Sequence, residues 1–235
     1  MFYSKNINNN LVYCSDLLPN IEHFFTTRGV DVITLAEYLG VTKENLVHPV
    51  QTHSSNIDFA QIGVSEYPDT DALILTNFYQ AVYLRFADCT PVILYDKKAN
   101  IGAVVHAGWR GTVASIVPKT IDKMIKYSAS SINDFRAVIG PAIGSCCYKV
   151  GDDVINGVKS TISDFSNSIF EKKDGVYVDL KNVNAQQLLE MGMSIDNIDI
   201  CPYCTSCNND LFYSYRKEQG TQNRHYALIK LRNVC

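Results

Sequence analysis

Apolar residues along this chain fall in short blocks bounded by turn-forming residues. Residues 71–76 (DALILT), 81–85, 91–95, 101–105 and 135–139 each read as a strand. The block at 101–105 (IGAVV) is apolar throughout, the pattern of a strand covered on both faces. HFFTT at 23–27 gives an earlier strand, stopped by Arg28-Gly29. Two late strands are read at 212–215 and 225–231, the second from the β-propensity of Tyr226, Leu228 and Ile229. Helical spacing marks 34–39, about 113–127, 152–160 and 182–191. Asn8-Asn9-Asn10 and 128–131 read as surface turns. Strict β-α-β alternation is absent, so the pattern predicts an α+β fold with a mixed sheet. No repeat or low-complexity linker interrupts it, and residues 1–235 read as one domain.

Composition narrows the class. A hydrophobic share of 46% against 19% charged is enough apolar surface to offset chain entropy, which excludes wholesale disorder. A net charge of −3 gives no electrostatic ground for a nucleic-acid or anionic-membrane partner. The first residues lack a basic start followed by an apolar core, and no apolar run approaches the roughly 20 residues that span a bilayer. A cytoplasmic protein is expected. In a reducing compartment the eight cysteines point to free, metal-bound or catalytic thiols rather than a disulfide framework.

Candidate chemistry sits in Gln51-Thr52-His53, in Ala87-Asp88-Cys89-Thr90-Pro91 and in the run from Val105 to Thr112 (VHAGWRGT). Cys89 precedes the strand at 91–95 and His106 follows the one at 101–105. If residues 96–100 close a hairpin, both side chains fall at the same end of the sheet. A thiolate beside an imidazole is either a nucleophile–base pair or two ligands of a metal. The glycines around Trp109-Arg110 allow a tight turn into a helix start, the arrangement that offers free N–H groups to an anion. Thr112 is read as the N-cap and Arg110 as a two-pronged anion donor. No GxGxxG or GxxxxGK[ST] phosphate loop is present.

The segments QTHSSNI, DALILTN, FADCTPVILYD, AVVHAGWRGT, IGPAIGSCCYKVG and LFYSYRK, in this order, resemble the YfiH-type family. That family is named for a multi-copper polyphenol oxidoreductase or laccase-type activity. Its members were later described as purine nucleoside phosphorylases that also act on methylthioadenosine and deaminate adenosine. The resemblance runs from about Phe24 to Leu231. It implies packed sheets flanked by helices, similar to bacterial cysteine-hydrolase toxin domains. It also implies a zinc site built by His53, Cys89 and His106. Ser54 stands where the family often has Gly, and Lys217 where a second Arg is usual; neither removes a ligand.

Laccase chemistry is not expected. A multicopper oxidase needs a blue site plus a trinuclear cluster dominated by imidazoles, and five histidines cannot fill both. Copper can still occupy the same three donors in place of zinc. Three protein ligands leave a fourth position open, which suits deamination by a metal-activated hydroxide, while the resemblance implies purine nucleoside phosphorolysis. Arg28, Arg110 and Arg216 are the candidates for phosphate. Asp88 is a minor candidate for general acid–base work, its expected role being structural. A metal-free cysteine hydrolase using Cys89 and His106 is the first alternative, and a non-enzymatic metal-binding protein the second. Cys201, Cys204 and Cys207 lack a fourth ligand nearby in sequence and are read as thiols of a loop. Cys146 and Cys147 are read as structural.

Overall fold

A computed structural model describes residues 1–233; Val234 and Cys235 lie outside the described residues. Among those described, two six-stranded sheets lie face to face. The first runs β1 (Phe2–Ile7), β2 (Asn10–Ser15), β3 (Ile21–Thr26), β15 (His225–Leu231), β7 (Ala81–Phe86), β4 (Leu46–Val47). The second runs β14 (Ile198–Ile200), β10 (Phe135–Ile139), β8 (Thr90–Asp96), β9 (Ile101–Ala107), β6 (Ala72–Leu75), β5 (Ile57–Phe59). A small third sheet joins β11 (Lys149–Val150), β13 (Gly175–Val178) and β12 (Ile169–Lys172).

Side-chain alternation explains why the central strands are apolar throughout. Ile93 and Tyr95 of β8 face the other sheet, where Phe25, Leu84 and Ile229 meet them. Val92 and Leu94 face outward, under Ile116, Ile121 and Met124 of helix α3 (Ile116–Ser128) and Leu188 of α5 (Leu180–Glu190). The outer face of the first sheet is covered by Val32 and Leu35 of α1 (Val32–Tyr38). The result is a helix–sheet–sheet–helix stack. The sheets approach closely at Gly102, where a Cβ would lie 2.3 Å from Ile229 Cδ1.

The expected hairpin forms. β8 and β9 pair antiparallel with Thr90 opposite Ala107, Pro91 opposite His106, and Asp96 opposite Ile101. Buried Asp96 closes the turn by accepting from the backbone N–H groups of Lys98 and Ala99. Asn8 and Asn9, at φ 47° and 65°, make a tight two-residue turn between β1 and β2.

Three expectations fail. The helix read at 113–127 is two helices, α2 (Trp109–Val113) and α3, separated at Ala114-Ser115. Pro118 cannot donate to the Ala114 carbonyl, so one continuous helix is barred there. Thr112 therefore lies inside α2, and Gly108 occupies the N-cap with no side-chain bond. Residues 212–215 form turns, not a strand. Their pattern reflects burial of Phe212 between the sheets and of Ser214, while Glu218 accepts from Ser214 N and Asn209 Nδ2. Helix α4 (Asp152–Lys159) matches its expected span.

Candidate metal centre and its pocket

His106 ends β9, and Cys89 sits in the tight link between β7 and β8. His53 comes from the loop between β4 and β5. One carboxylate organises all of this. Asp71, fully buried just before β6, accepts the backbone N–H groups of Thr52 (3.1 Å), His53 (3.1 Å) and Ser54 (2.7 Å) and the Ser54 hydroxyl (2.8 Å). Those bonds bend the loop so that His53 adopts φ 62° and turns toward the sheet. His106 Nδ1 donates to Asp71 Oδ1 at 2.7 Å, which leaves Nε2 as the free lone pair.

The donor atoms of His53, Cys89 and His106 lie within 4.8 Å of one another, with Cys89 Sγ 3.7 Å from His53 Nε2. Zinc bonds of about 2.3 Å to sulfur and 2.05 Å to nitrogen span about 3.6 Å in a tetrahedron, so the separation fits. Gly108 permits this closeness. A Cβ there would stand 3.1 Å from both Cys89 Sγ and His53 Cδ2. The donor set suits zinc, and copper as well.

Electrostatics prepare the site for a cation. Burial alone would push the Cys89 thiol up; the His106 charge and hydrogen bonds from both histidines bring it down to about 6. Burial would lower His106, but the Cys89 thiolate and the Asp71 carboxylate raise it to about 9. Burial would raise Asp71, yet His106 and Ser54 hold it well below the usual carboxylate range. The surroundings thus favour the thiolate form of Cys89, and a bound cation would take the place of any proton on His106 Nε2.

The centre opens into a cavity of about 690 Å³, the size of a small-molecule site. Tyr148, Tyr215, Arg85, Arg216 and Arg224 line it. Of the three arginines read as phosphate candidates, Arg216 lines the cavity, its guanidinium 5.3 Å from the Tyr148 ring centre. Arg28 and Arg110 do not. Arg28 pairs with Glu218 at 2.8 Å and stacks 4.3 Å from the Tyr213 ring, serving the 209–218 turns. Arg110 stacks 4.4 Å from Trp109 on an exposed face of α2. Arg85 and Arg224 were missed; the available signal was a lone Arg in the apolar block at 81–86 and another directly before the last strand. Asp88, at φ 83°, accepts from Thr205 Oγ1 (2.6 Å) and Arg216 N (2.7 Å), the structural role expected.

Residues 31–232 match the family described as multi-copper polyphenol oxidoreductase laccase. The chain belongs to that family. A Geobacillus stearothermophilus protein named purine nucleoside phosphorylase YlmD is 34% identical over 206 residues, covering 83% of this chain and 75% of its own length. A Staphylococcus aureus protein named purine nucleoside phosphorylase SACOL1200 is 33% identical over 237 residues, covering 97% and 86%. The crystal structure of Geobacillus stearothermophilus YlmD superposes with a TM-score of 0.89 at 28% identity, covering 97% of this chain and 98% of that one. YfiH of Bacillus licheniformis superposes at 0.88 with 30% identity, covering 94% and 96%. Among the described residues, no helix is long and apolar enough to cross a membrane.

Proposed function

We propose that this protein is a zinc-dependent purine nucleoside phosphorylase, cleaving adenosine, inosine or methylthioadenosine with phosphate to free base and sugar 1-phosphate. Adenosine deamination is a second reaction proposed for the same pocket. The reading rests most on one observation: the His53–Cys89–His106 donor triangle faces a cavity carrying three arginines. The names of the relatives at 33–34% identity point the same way.

His53, Cys89 and His106 would hold the zinc, which would supply Lewis acidity beside the cavity. The residues do the rest. Arg85, Arg216 and Arg224 bring positive charge to hold a phosphate dianion against the anomeric carbon. The new bond forms from a phosphate oxygen to that carbon as the bond to the purine nitrogen breaks, its electron pair leaving with the base. Tyr148 and Tyr215 offer flat faces for the purine. Asp71 keeps His106 oriented without touching substrate.

Incubating the protein with adenosine or inosine, with and without phosphate, tests the reading. Base release that requires phosphate supports it; release independent of phosphate eliminates the phosphorylase.

A second reading is favoured by the row Asp71–His106–Cys89, which also has the order of an orienting carboxylate, a base and a thiolate nucleophile. A metal-free hydrolase would hold no zinc between His53, Cys89 and His106, and alkylation of Cys89 would abolish it. Zinc lost on His53→Ala, Cys89→Ala or His106→Ala counts against that alternative.

A further inference from the structure

Four other thiols meet outside this pocket. Cys146 and Cys147 lie in the loop between β10 and β11, and Cys204 and Cys207 in the turns after β14. Their sulfurs all lie within 4.8 Å of one another, and Cys207 Sγ is 3.4 Å from both Cys146 Sγ and Cys147 Sγ. Cys201 is not among them; it is buried near α5, its carbonyl accepting from Lys181 Nζ. Cys204 and Cys207, read from the sequence with Cys201 as thiols of a loop, thus find partners about 60 residues earlier.

We propose that Cys146, Cys147, Cys204 and Cys207 hold a second, structural zinc ion in a closed four-thiolate site. Zinc–sulfur bonds of about 2.3 Å set tetrahedral edges near 3.8 Å, within the spread of these sulfurs. The backbone supports a thiolate at Cys204. Gly144 N–H donates to Cys204 Sγ at 3.2 Å, and the Cys204-Thr-Ser-Cys207 spacing is that of a zinc-binding turn. Both Cys147 N and Tyr148 N donate to the Gly144 carbonyl, forming the turn that brings the adjacent sulfurs toward one ion. Lys172 Nζ donates to the Ser145 carbonyl at 2.7 Å, placing a positive charge beside the site. No single disulfide is singled out, because Cys207 is equally close to two partners. Binding displaces the thiol protons to solvent and leaves no redox change.

The location gives the ion a purpose. The loop carrying Cys146 and Cys147 also supplies Ile143 and Tyr148 to the substrate cavity. The segment carrying Cys204 and Cys207 leads to Tyr215 and Arg216 of the same cavity. The two segments also meet at the Ala142–Cys204 β-bridge, through Gly144 N–H to Cys204 Sγ, through Arg216 to the Lys149 carbonyl and the Tyr148 ring, and through Asp88. An ion between them pins two walls of the pocket to each other.

The test is zinc analysis of the full chain purified under reducing conditions, as wild type and as His53→Ala/His106→Ala, which lacks two of the three donors of the other centre. The double variant is expected to keep close to one zinc per chain, with an X-ray absorption spectrum of four sulfur neighbours. Adding Cys204→Ser/Cys207→Ser should remove that zinc. If this variant does not fold, the sulfur shell of the double variant decides alone. A double variant that binds no zinc, a shell dominated by nitrogen or oxygen, or disulfides linking these four cysteines in the reduced preparation would each overturn the proposal.

Discussion

Replacing Asp71 by Asn removes one acceptor and inserts a donor at the point where three elements converge. Oδ1 accepts from His53 N and His106 Nδ1; Oδ2 accepts from Thr52 N, Ser54 N and the Ser54 hydroxyl. An amide has a single acceptor oxygen, so whichever way it turns, its NH₂ faces N–H groups that also donate. If the amide nitrogen faces His106, the ring is driven to the tautomer with Nε2 protonated, and that nitrogen can no longer bind a metal. If it faces Ser54, the loop that carries His53 loses its anchor. Each charge-assisted bond is worth about 1.5–3 kcal/mol, so losing two costs about 3–6 kcal/mol of stability. Loss of an outer carboxylate on a ligating histidine typically weakens metal binding by about 10–100-fold. Competition with a chromogenic chelator measures zinc affinity at this centre, and thermal melting measures stability. A D71N protein with zinc affinity within about twofold of wild type and an unchanged Tm would refute this reasoning.

Three further outcomes follow from the geometry. Gly108→Ala should keep the fold but weaken zinc binding by about tenfold, because Cys89 and His53 must each yield a few tenths of an ångström to the new Cβ; equal affinity would contradict it. Arg85→Ala and Arg224→Ala should raise the KM for phosphate by about tenfold or more, whereas Arg28→Ala should lower Tm and leave that KM unchanged; the reverse pattern would restore Arg28 as an anion ligand. Burial lowers His23 to about 4 and His225 to about 3, so the unfolded chain binds more protons than the native one below the unfolded value of 6.5. Stability from both histidines is thus present above pH 6.5 and lost as pH falls toward 4, by about 3 kcal/mol or more in total at about 1.4 kcal/mol per pKa unit. Melting curves that do not shift between pH 6.5 and 5, or an unchanged slope in His225→Phe, would rule this out.

What could be read from the chain depended on sequence distance. Cys89 and His106 were placed together because two apolar blocks flank a short polar turn, and a hairpin fixes its own ends. The covered faces of β8 and β9 were legible for the same reason. His53 lies on a loop, whose path follows hydrogen bonds rather than a hydrophobic period, and the family resemblance alone joined it to Cys89 and His106 as a ligand. Asp71 stayed hidden since its role comes from pairing β6 with β9, 35 residues apart. Arg85 and Arg224 meet because β7 pairs with β15, with Phe86 opposite His225, a contact that no local pattern encodes. The glycines around Arg110 suggested close approach to an anion and Arg28 was read as a phosphate candidate, but both guanidiniums stack on aromatic rings instead. The four clustered thiols come from two segments that only the fold makes neighbours.

Crystals of the zinc-loaded protein, with diffraction collected on either side of the zinc absorption edge, test the His53–Cys89–His106 centre most directly. The account predicts an anomalous peak bounded by His53 Nε2, Cys89 Sγ and His106 Nε2, with its remaining coordination position facing the arginine-lined cavity. Diffraction with no peak between those three donors, while His106 still leans on Asp71, would contradict it.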